Sequence, residues 1–453
     1  MGKVTLIRLS VSVVIVIPPV MMCTLYIKQG CLSNVKRRML EMSYKTALHE
    51  DAQKRVENVG QADILVGIPS YNNAATIGHV VRMAAEGMVK HFPDLKPVLI
   101  NSDGGSPDGT CQVVLNTPVP QEVEVIATEY QGMPGKGSAF RAVFEAAKAL
   151  GVKVCIVVDS DLRSITPEWI ELLAGPIVKE GYGYVTPFYI RHKYDGTITN
   201  NICYPMTRML YGLDIRQPIG GDFGFSGDLL DHYLGQDVWE TDVARFGIDI
   251  WMTTTAINAG ARISQTHLGA KIHDAKDPAA SLGPMFRQVV GTLFGMMAKY
   301  EANWKVSTGS QPTPIYGEPK ELETEPVPVT LSVMIKKLRA GREEWGEVWE
   351  QVLSAENWTI LKAILAQPYH SYRFTAEQWA PIVFDFAVAY SKSGLDKDAV
   401  IDSMTPLYYG RTAGLVVESQ DMDSTTFERE VIQAQARTFR ELKPRLIERW
   451  GSL

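Results

Sequence analysis

The sequence predicts an α/β protein in which a mostly parallel, doubly wound sheet is flanked by helices, preceded by a hydrophobic segment and followed by a helical C-terminal region. Three observations predict it. Short apolar runs alternate with stretches of helical periodicity between residues 64 and 161, the pattern of strands joined by crossover helices. Three of those runs break into polar clusters at their carboxyl ends, where open parallel sheets bind ligands. Beyond about residue 301 the strand-like runs cease and helical spacing takes over.

In chain order, the charged stretch 36–60 reads as a helical connector, and ADILVGIPSYNN gives a strand over 64–68 broken by Pro69. TIGHVVRMAAEGMVKHF (76–92) has helical spacing, KPVLINSDGG (96–105) is strand then loop, and SAFRAVFEAAKALG (138–151) is a helix closed by Gly151. KVCIVVDSD forms the next strand, and a helix starts near Thr166-Pro167. The later stretches WGEVWEQVLSAENWTILKAILAQ, FTAEQWAPIVFDFAVAYSKSG and TTFEREVIQAQARTFRELKPRLIERW are helical, with their aromatic residues in packing positions. A polar, Pro-rich stretch, 307–329, marks a boundary. The expected organisation is a segment and connector over 1–60, the α/β domain over 61–300, and the helical region over 301–453.

At 453 residues the chain exceeds the ~250–300 at which single cores stop growing. Its 45% hydrophobic and 21% charged residues are globular values, and a net charge of −6 offers no basic excess for nucleic acid. The cysteines at 23, 31, 111, 155 and 203 form no CxxC pair and are odd in number, which argues against a disulfide framework and a structural zinc site. A reducing, cytoplasmic compartment fits, with Cys155 as a small buried hydrophobe.

The uncharged stretch LSVSVVIVIPPVMMCTLYI, residues 9–27, approaches the ~20 residues that span a bilayer. Lys28, Lys36, Arg37 and Arg38 follow it, placing its C-terminal side in the cytoplasm by the positive-inside rule. Three readings stand: a tether to the inner face of the membrane, a translated segment outside the functional unit, and a signal peptide. Pro18-Pro19 weakens it as a helix, and no small-residue cleavage site stands out.

In IVVDSDLRS (156–164), Asp159 and Asp161 follow an apolar run. Two carboxylates at the end of a buried strand need neutralising. An Asp-x-Asp can hold Mg2+ or Mn2+, hard cations that leave positions for phosphate oxygens; alone, it could equally cap the following helix. Asp103 lies in a loop rich in turn formers and could accept hydrogen bonds from a base edge. In GMPGKGSAF, glycines allow close backbone approach while Lys136 offers a positive charge to a diphosphate at a helix N-terminus. This is not a Walker A loop.

The segments LVGIPSYNNAATI, LINSDGGSPDGT, GKGSAFRAVFEAA and VVDSDL, in that order, resemble the nucleotide-sugar-binding segments of GT-A glycosyltransferases. QPIGGDFGFSG (217–227), RFGIDIWMTTTAINAG (245–260) and HLGAKIHD (267–274) resemble the second half of the mannosylglycerate synthase and glucosyl-3-phosphoglycerate synthase group. The resemblance spans about residues 62–275. It implies a GT-A fold in which Pro69, Ser70, Tyr71 and Asn72 hold the base and ribose, with Asp103, Lys136, Asp159 and Ser160 also on the nucleotide. It further implies that Asp161 and His273 bind the metal. Asp249 matches an aspartate near the anomeric carbon. Asp222 stands where the group commonly has Glu, beside paired glycines that leave room for a sugar ring. In FYIRHKYDGTITNN (188–201), Arg191 and Thr199 match an Arg and a Thr that hold the carboxylate of a glycerate-type acceptor, with Asn200 and Arg208 as further candidates.

The implied activity is metal-dependent, retaining transfer of a mannosyl or glucosyl group from a nucleoside diphosphate sugar to a small hydroxy-acid such as glycerate or 3-phosphoglycerate. Two alternatives stand beside it: a membrane-associated transferase acting on a lipid phosphate or a polysaccharide, and a non-catalytic sugar-nucleotide-binding module. A sugar nucleotidyltransferase fits less well, because its Gly-rich loop follows the first strand directly, whereas GMPGKG follows the second. The helical region offers aromatic residues for a homodimer interface.

Overall fold

Why residues 64–70 form a central strand is evident in a computed structural model, which describes residues 45–273, 283–319 and 324–452. All seven residues of β1 (Ile64–Ser70) are buried, as expected of a strand covered on both faces. The other strands are β2 (Pro97–Asp103), β3 (Glu124–Glu129), β4 (Val154–Val157), β5 (Tyr184–Ile190), β6 (Leu213–Asp214), β7 (Phe223–Ser226), β8 (Ile263–Ala270), β9 (Gln311–Pro312) and β10 (Ile315–Tyr316). Eight of them form one sheet in the order β10-β8-β5-β7-β4-β1-β2-β3, and β6 pairs with β9. Every pairing in the large sheet is parallel except those of β7, which runs against β4 and β5. The expected mostly parallel, helix-flanked sheet is what forms.

The first eight helices are α1 (Glu50–Val59), α2 (Ile77–His91), α3 (Thr110–Asn116), α4 (Lys136–Leu150), α5 (Pro167–Glu180), α6 (Tyr204–Tyr211), α7 (Leu229–Leu234) and α8 (Ile248–Asn258). The period of two along the strands sorts their side chains between two cores. Ile64, Val66 and Ile68 pack with Val80 of α2 and Ile170 of α5. Leu65, Cys155 and Val157 pack with Phe140 and Phe144 of α4 on the other face. Gly151 closes α4 in the left-handed region at φ 66°. Thr166 occupies the N-cap position of α5 with Pro167 in its first turn, so the Asp159–Asp161 pair lies outside that cap.

The remaining helices are α9 (Gly283–Lys299), α10 (Glu301–Val306), α11 (Leu331–Val352), α12 (Ala355–Ala366), α13 (Ala376–Lys392), α14 (Lys397–Ser419), α15 (Ser424–Phe427), α16 (Gln433–Glu441) and α17 (Lys443–Gly451). The expected helical C-terminal region is present. Its core is shared with the earlier part of the chain: Ile198, Ile202 and Met206 pack in the same cluster as Trp379, Leu407 and Phe439. Within the Pro-rich stretch 307–329, Ile315 and Tyr316 add an edge strand to the sheet beside β8. The apolar stretch 9–27, and with it the membrane tether, lies outside the described residues; among these, no helix is long and apolar enough to cross a membrane.

Gly67 marks a close approach of α4 to β1. A Cβ there would stand 2.3 Å from Val143 Cγ1 of α4, on a β-branched side chain with little freedom to turn away. Gly67→Ala is therefore expected to destabilise the protein by about 1–3 kcal/mol through overpacking, read as a lower urea midpoint. An unchanged midpoint would show that the β1–α4 contact has slack.

Candidate functional site

The carboxyl ends of β1, β2 and β4 lie side by side because these strands are parallel neighbours. At the end of β2, Asp103 is fully buried. It accepts hydrogen bonds from Ser70 Oγ at 2.6 Å, Ser106 N at 2.6 Å and Ser106 Oγ at 2.8 Å. The carboxylate thus ties two strand ends together, and both its oxygens are occupied. Pro69 is within β1 beside Ser102, Tyr71 is exposed, and Asn72 takes a left-handed φ of 58°. Ser160 donates to Asn73 Oδ1 at 2.8 Å, joining the loop after β1 to the one after β4.

Asp159 is the centre of the site. Lys136 Nζ, at the first residue of α4, donates to its Oδ1 at 2.7 Å, and Lys271 Nζ donates to its Oδ2 at 2.7 Å. Burial opposes the charge on this carboxylate, yet Lys136 and Lys271 outweigh it and hold its pKa well below the usual range. Burial likewise opposes both ammonium groups, and Asp159, seconded by Asp249 at Lys136 and by Asp222 at Lys271, raises their pKa values nonetheless. Lys271 also donates to Asp222 Oδ2 at 2.9 Å and to Gly220 O at 2.8 Å.

Asp222 is fully buried. Its Oδ1 accepts from Asp159 N at 2.7 Å, and its Oδ2 accepts from the Tyr189 hydroxyl as well as from Lys271. Asp249 accepts from Gly221 N at 2.9 Å and lies 3.5 Å from Lys136 Nζ, while its Oδ1 is buried with no hydrogen-bond partner. Burial, then Asp159, pushes its pKa up against the pull of Lys136.

The glycines here make room for protein rather than ligand. A Cβ on Gly221, at φ +88°, would stand 2.1 Å from Asp159 Oδ2, and one on Gly220 would stand 2.3 Å from Pro187 Cγ. In the GKG sequence, a Cβ on Gly135 or Gly137 would meet the backbone at Ala244 or Val243. The room read from the sequence as space for a sugar ring and a diphosphate is filled by the Asp159 carboxylate, Pro187 and the turn at 243–245.

Asp161 faces His273, with 3.9 Å between Asp161 Oδ2 and His273 Nδ1. On its other side, His273 Nε2 is 3.7 Å from Asp195 Oδ2 and is buried with no hydrogen-bond partner. Burial, then Asp159, raises the Asp161 pKa, while Lys271 and His273 oppose the rise. Asp195 also pairs with Arg191 Nη1 at 3.1 Å, and lines a cavity of about 450 Å3 together with Arg191, Thr199 and Asn200. The three acceptor candidates thus meet in one cavity. Arg208 is outside its lining and pairs with Asp214 at 3.3 Å.

Residues 65–227 match the model of glycosyl transferase family 2. The mostly parallel, helix-flanked sheet that these residues contribute to is GT-A-like, as the ordered motifs imply. No curated protein sequence matches the chain. Among solved structures, the chain is similar to glucosyl-3-phosphoglycerate synthase from Mycobacterium tuberculosis with Mg2+ and uridine diphosphate, at 25% identity over 54% of this chain and 82% of that one, with a TM-score of 0.42. The same enzyme with Mn2+, UDP-glucose and phosphoglyceric acid is similar at 25% identity, over 54% and 82% of the two chains, with a TM-score of 0.41. With Mn2+, UDP-glucose and glycerol 3-phosphate the values are 25%, 54%, 83% and 0.39.

The similar solved structures contain Mg2+ or Mn2+, and the Asp161–His273 pair that the motifs imply for a metal is spaced to fit one. Two donors on one hard cation at about 2.1 Å stand roughly 3 Å apart when adjacent and about 4.2 Å when opposite, a range that includes the Asp161–His273 separation. Asp159, Asp161, Asp195, Asp222 and Asp249 face Lys136, Lys271 and Arg191, leaving two negative charges uncompensated. Among the described residues no group of three or more His, Cys, Asp or Glu is arranged around a common ion position. The donors therefore suit a metal completed by phosphate oxygens rather than an all-protein cage.

Sequence reasoning missed Lys271, Tyr189, Asp195, Arg216 and Glu428. Lys271 had no clear signal: it follows ISQTHLGA (263–270), a strand that is buried although its sequence is largely polar, just ahead of Ile272-His273. Removing it would leave Asp159 and Asp222 adjacent and under-compensated. Lys271→Met is expected to cost about 3–5 kcal/mol, the scale of orphaning a buried charge, measured by urea denaturation, and adding Asp222→Asn should recover part of it. A single variant as stable as the parent would remove Lys271 from this structural role.

Proposed function

We propose that the protein is a divalent-metal-dependent, retaining hexosyltransferase that moves a mannosyl or glucosyl group from a nucleoside diphosphate sugar to a small hydroxy-acid acceptor of the glycerate type. One juxtaposition carries the reading: Asp195 lines the cavity that holds Arg191, Thr199 and Asn200, and also stands 3.7 Å from His273 of the metal pair. Donor-side and acceptor-side chemistry thus adjoin.

On this reading Pro69, Tyr71, Asn72 and Ser160 frame the nucleotide, with the buried Asp103 fixing the strand ends through Ser70 and Ser106. Lys136, at the N-terminus of α4, meets the diphosphate with the helix dipole behind it. Mg2+ or Mn2+ held by Asp161 and His273 would neutralise charge on the departing diphosphate. Asp249 accepts a sugar hydroxyl at Oδ1, which lies 3.5 Å from Lys136 Nζ and has no hydrogen-bond partner. Asp222 is a positioning residue, since its oxygens are committed to Asp159 N, Tyr189 and Lys271. Arg191 binds the acceptor carboxylate, with Thr199 and Asn200 beside it.

In the transfer step, the bond from the anomeric carbon to the diphosphate oxygen breaks and its electron pair leaves with the phosphate. The acceptor hydroxyl oxygen bonds to the anomeric carbon on the same face. Its proton passes to an oxygen of the leaving phosphate, so no side chain need act as nucleophile.

The test is a screen of purified protein with UDP-, GDP- and ADP-hexoses against glycerate and 3-phosphoglycerate, with Mg2+ or Mn2+. Transfer is expected with at least one pair, with the anomeric configuration retained in the product. Asp161→Ala is expected to lower turnover at least about 10²-fold, the scale of losing one preorganised contact to a developing oxyanion. Undiminished transfer by that variant would overturn the site.

A further inference from the structure

The acceptor cavity is closed by a part of the chain outside the family-matched segment. Beside Arg191, Thr199 and Asn200, its wall is formed by Ser424 and Thr425 of α15, Glu428 and Arg429 of the π-helical turn Glu428–Ile432, and Gln433 of α16. At about 450 Å3 it has room for a small acceptor with an extended tail, so what the tail meets decides what can enter.

The cations along this wall are already engaged, and one carboxylate accounts for the most important case. Glu428 grips Arg216 through two parallel contacts, Nε to Oε1 at 2.9 Å and Nη2 to Oε2 at 2.9 Å, while Nη2 also reaches Asn200 Oδ1 at 2.9 Å. Gln433 Nε2 fixes Glu428 Oε1 at 3.0 Å. Despite burial, Arg216 keeps the Glu428 pKa below the usual carboxylate range, so both partners are charged. Lys193 places its ammonium on three carbonyls, those of Ser419, Gln420 and Met422, at 2.7, 3.1 and 2.8 Å, which uses all three of its donors. Arg429 pairs with Glu430 at 2.9 Å at the exposed rim. Burial, then Lys193, lowers the His192 pKa and favours its neutral form, with Asp195 opposing. Arg191 differs, because its Nε is buried without a partner.

We infer that Glu428, supplied by the C-terminal helical region, sets the charge of the acceptor: by neutralising Arg216 it leaves Arg191 to bind one carboxylate and disfavours an acceptor carrying a second anionic group such as a phosphate. The inference rests on the acceptor-site reading proposed above. Glu428 is a specificity-determining residue in the wall, and the neutral groups around it, Thr199, Asn200, Ser424, Thr425 and Gln433, suit the hydroxyls of an uncharged tail.

The experiment compares kcat/KM for glycerate and 3-phosphoglycerate, with the donor that supports turnover, in the wild-type protein and in Glu428→Gln. Wild type is expected to prefer glycerate. Glu428→Gln frees the Arg216 charge at nearly constant shape and should shift the ratio toward 3-phosphoglycerate by about tenfold or more, the scale of one charge-assisted hydrogen bond. Arg216→Gln combined with Glu428→Gln removes both charges and should return the ratio to near the wild-type value. A folded Glu428→Gln protein with an unchanged ratio overturns the inference, as does a wild type that prefers the phosphorylated acid. If the single variant does not fold, a double variant with the ratio shifted tenfold toward the phosphorylated acid overturns it, and one near the wild-type ratio supports it. Failure of the acceptor-site reading itself would look different: wild type would transfer to neither acid while still releasing sugar from its donor in the presence of metal.

Discussion

Two lysines clamp one partly buried aspartate, and the geometry around Asp161 and His273, the proposed metal pair, depends on that clamp. Asp159 sits at the end of β4, Lys136 at the start of α4 and Lys271 just beyond β8, so the two ion pairs fix three separate segments against one another. Asp222, just ahead of β7, adds a fourth by accepting the Asp159 backbone N–H and sharing Lys271. None of these groups could be buried alone, since an isolated charge in such a place costs several kcal/mol. The requirement reaches into the backbone, because Gly221 must lack a Cβ for the Asp159 carboxylate to reach Lys271 at all. Asp161 and His273, each two residues from a member of the clamp, inherit their positions from it.

The proposed acceptor side rests on a different foundation. Residues Thr199–Cys203 form a π-helical turn, a geometry that disturbs the usual pattern of backbone pairing. Buried carbonyls freed there need donors, and the C-terminal helices supply them. Gln435 Nε2 donates to Asn200 O at 2.7 Å, and Trp379 Nε1 donates to Asn201 O at 2.8 Å. Thr197 and Tyr408 share a hydrogen bond of 2.6 Å. The helical region is thus the template on which the loop carrying Thr199 and Asn200 is held, which explains why its core is continuous with that of residues 198–210.

The strand ends were legible in the sequence because each combines an apolar run, which defines a buried strand, with polar residues that have no structural reason to follow it. Asp159 and Asp161 could be read that way, Lys136 through its Gly-rich loop, and His273 through its motif. Lys271 was harder, since a lysine next to a strand is ordinarily a solvated one and only the fold reveals two aspartates beside it. The antiparallel β7 was hidden by its length and its glycine: FGFS is short, and Gly224 is there because a Cβ would stand 2.2 Å from Leu173 O. Glu428 could not be found by local reasoning at all, as its partner Arg216 is 212 residues away. Periodicity reports which face of a helix is buried, and is silent on which distant loop that face will cover.

Asp195 joins the two halves of the site, and its position explains how Arg191 can be both paired and available. A guanidinium carries five N–H donors in a rigid fork, and Asp195 engages Nη1 at 3.1 Å. The guanidinium also lies over the Tyr189 ring at 5.2 Å, and Nε remains buried and without a partner. An incoming carboxylate therefore need not displace Asp195; it can approach a fork whose plane is already fixed on one side by a carboxylate and on one face by an aromatic ring. Fixing the plane in advance removes rotamer entropy that binding would otherwise have to overcome. Because the same aspartate stands beside His273, and Tyr189 is hydrogen-bonded to Asp222, the groups proposed to orient the acceptor are held by the network proposed to orient the donor side.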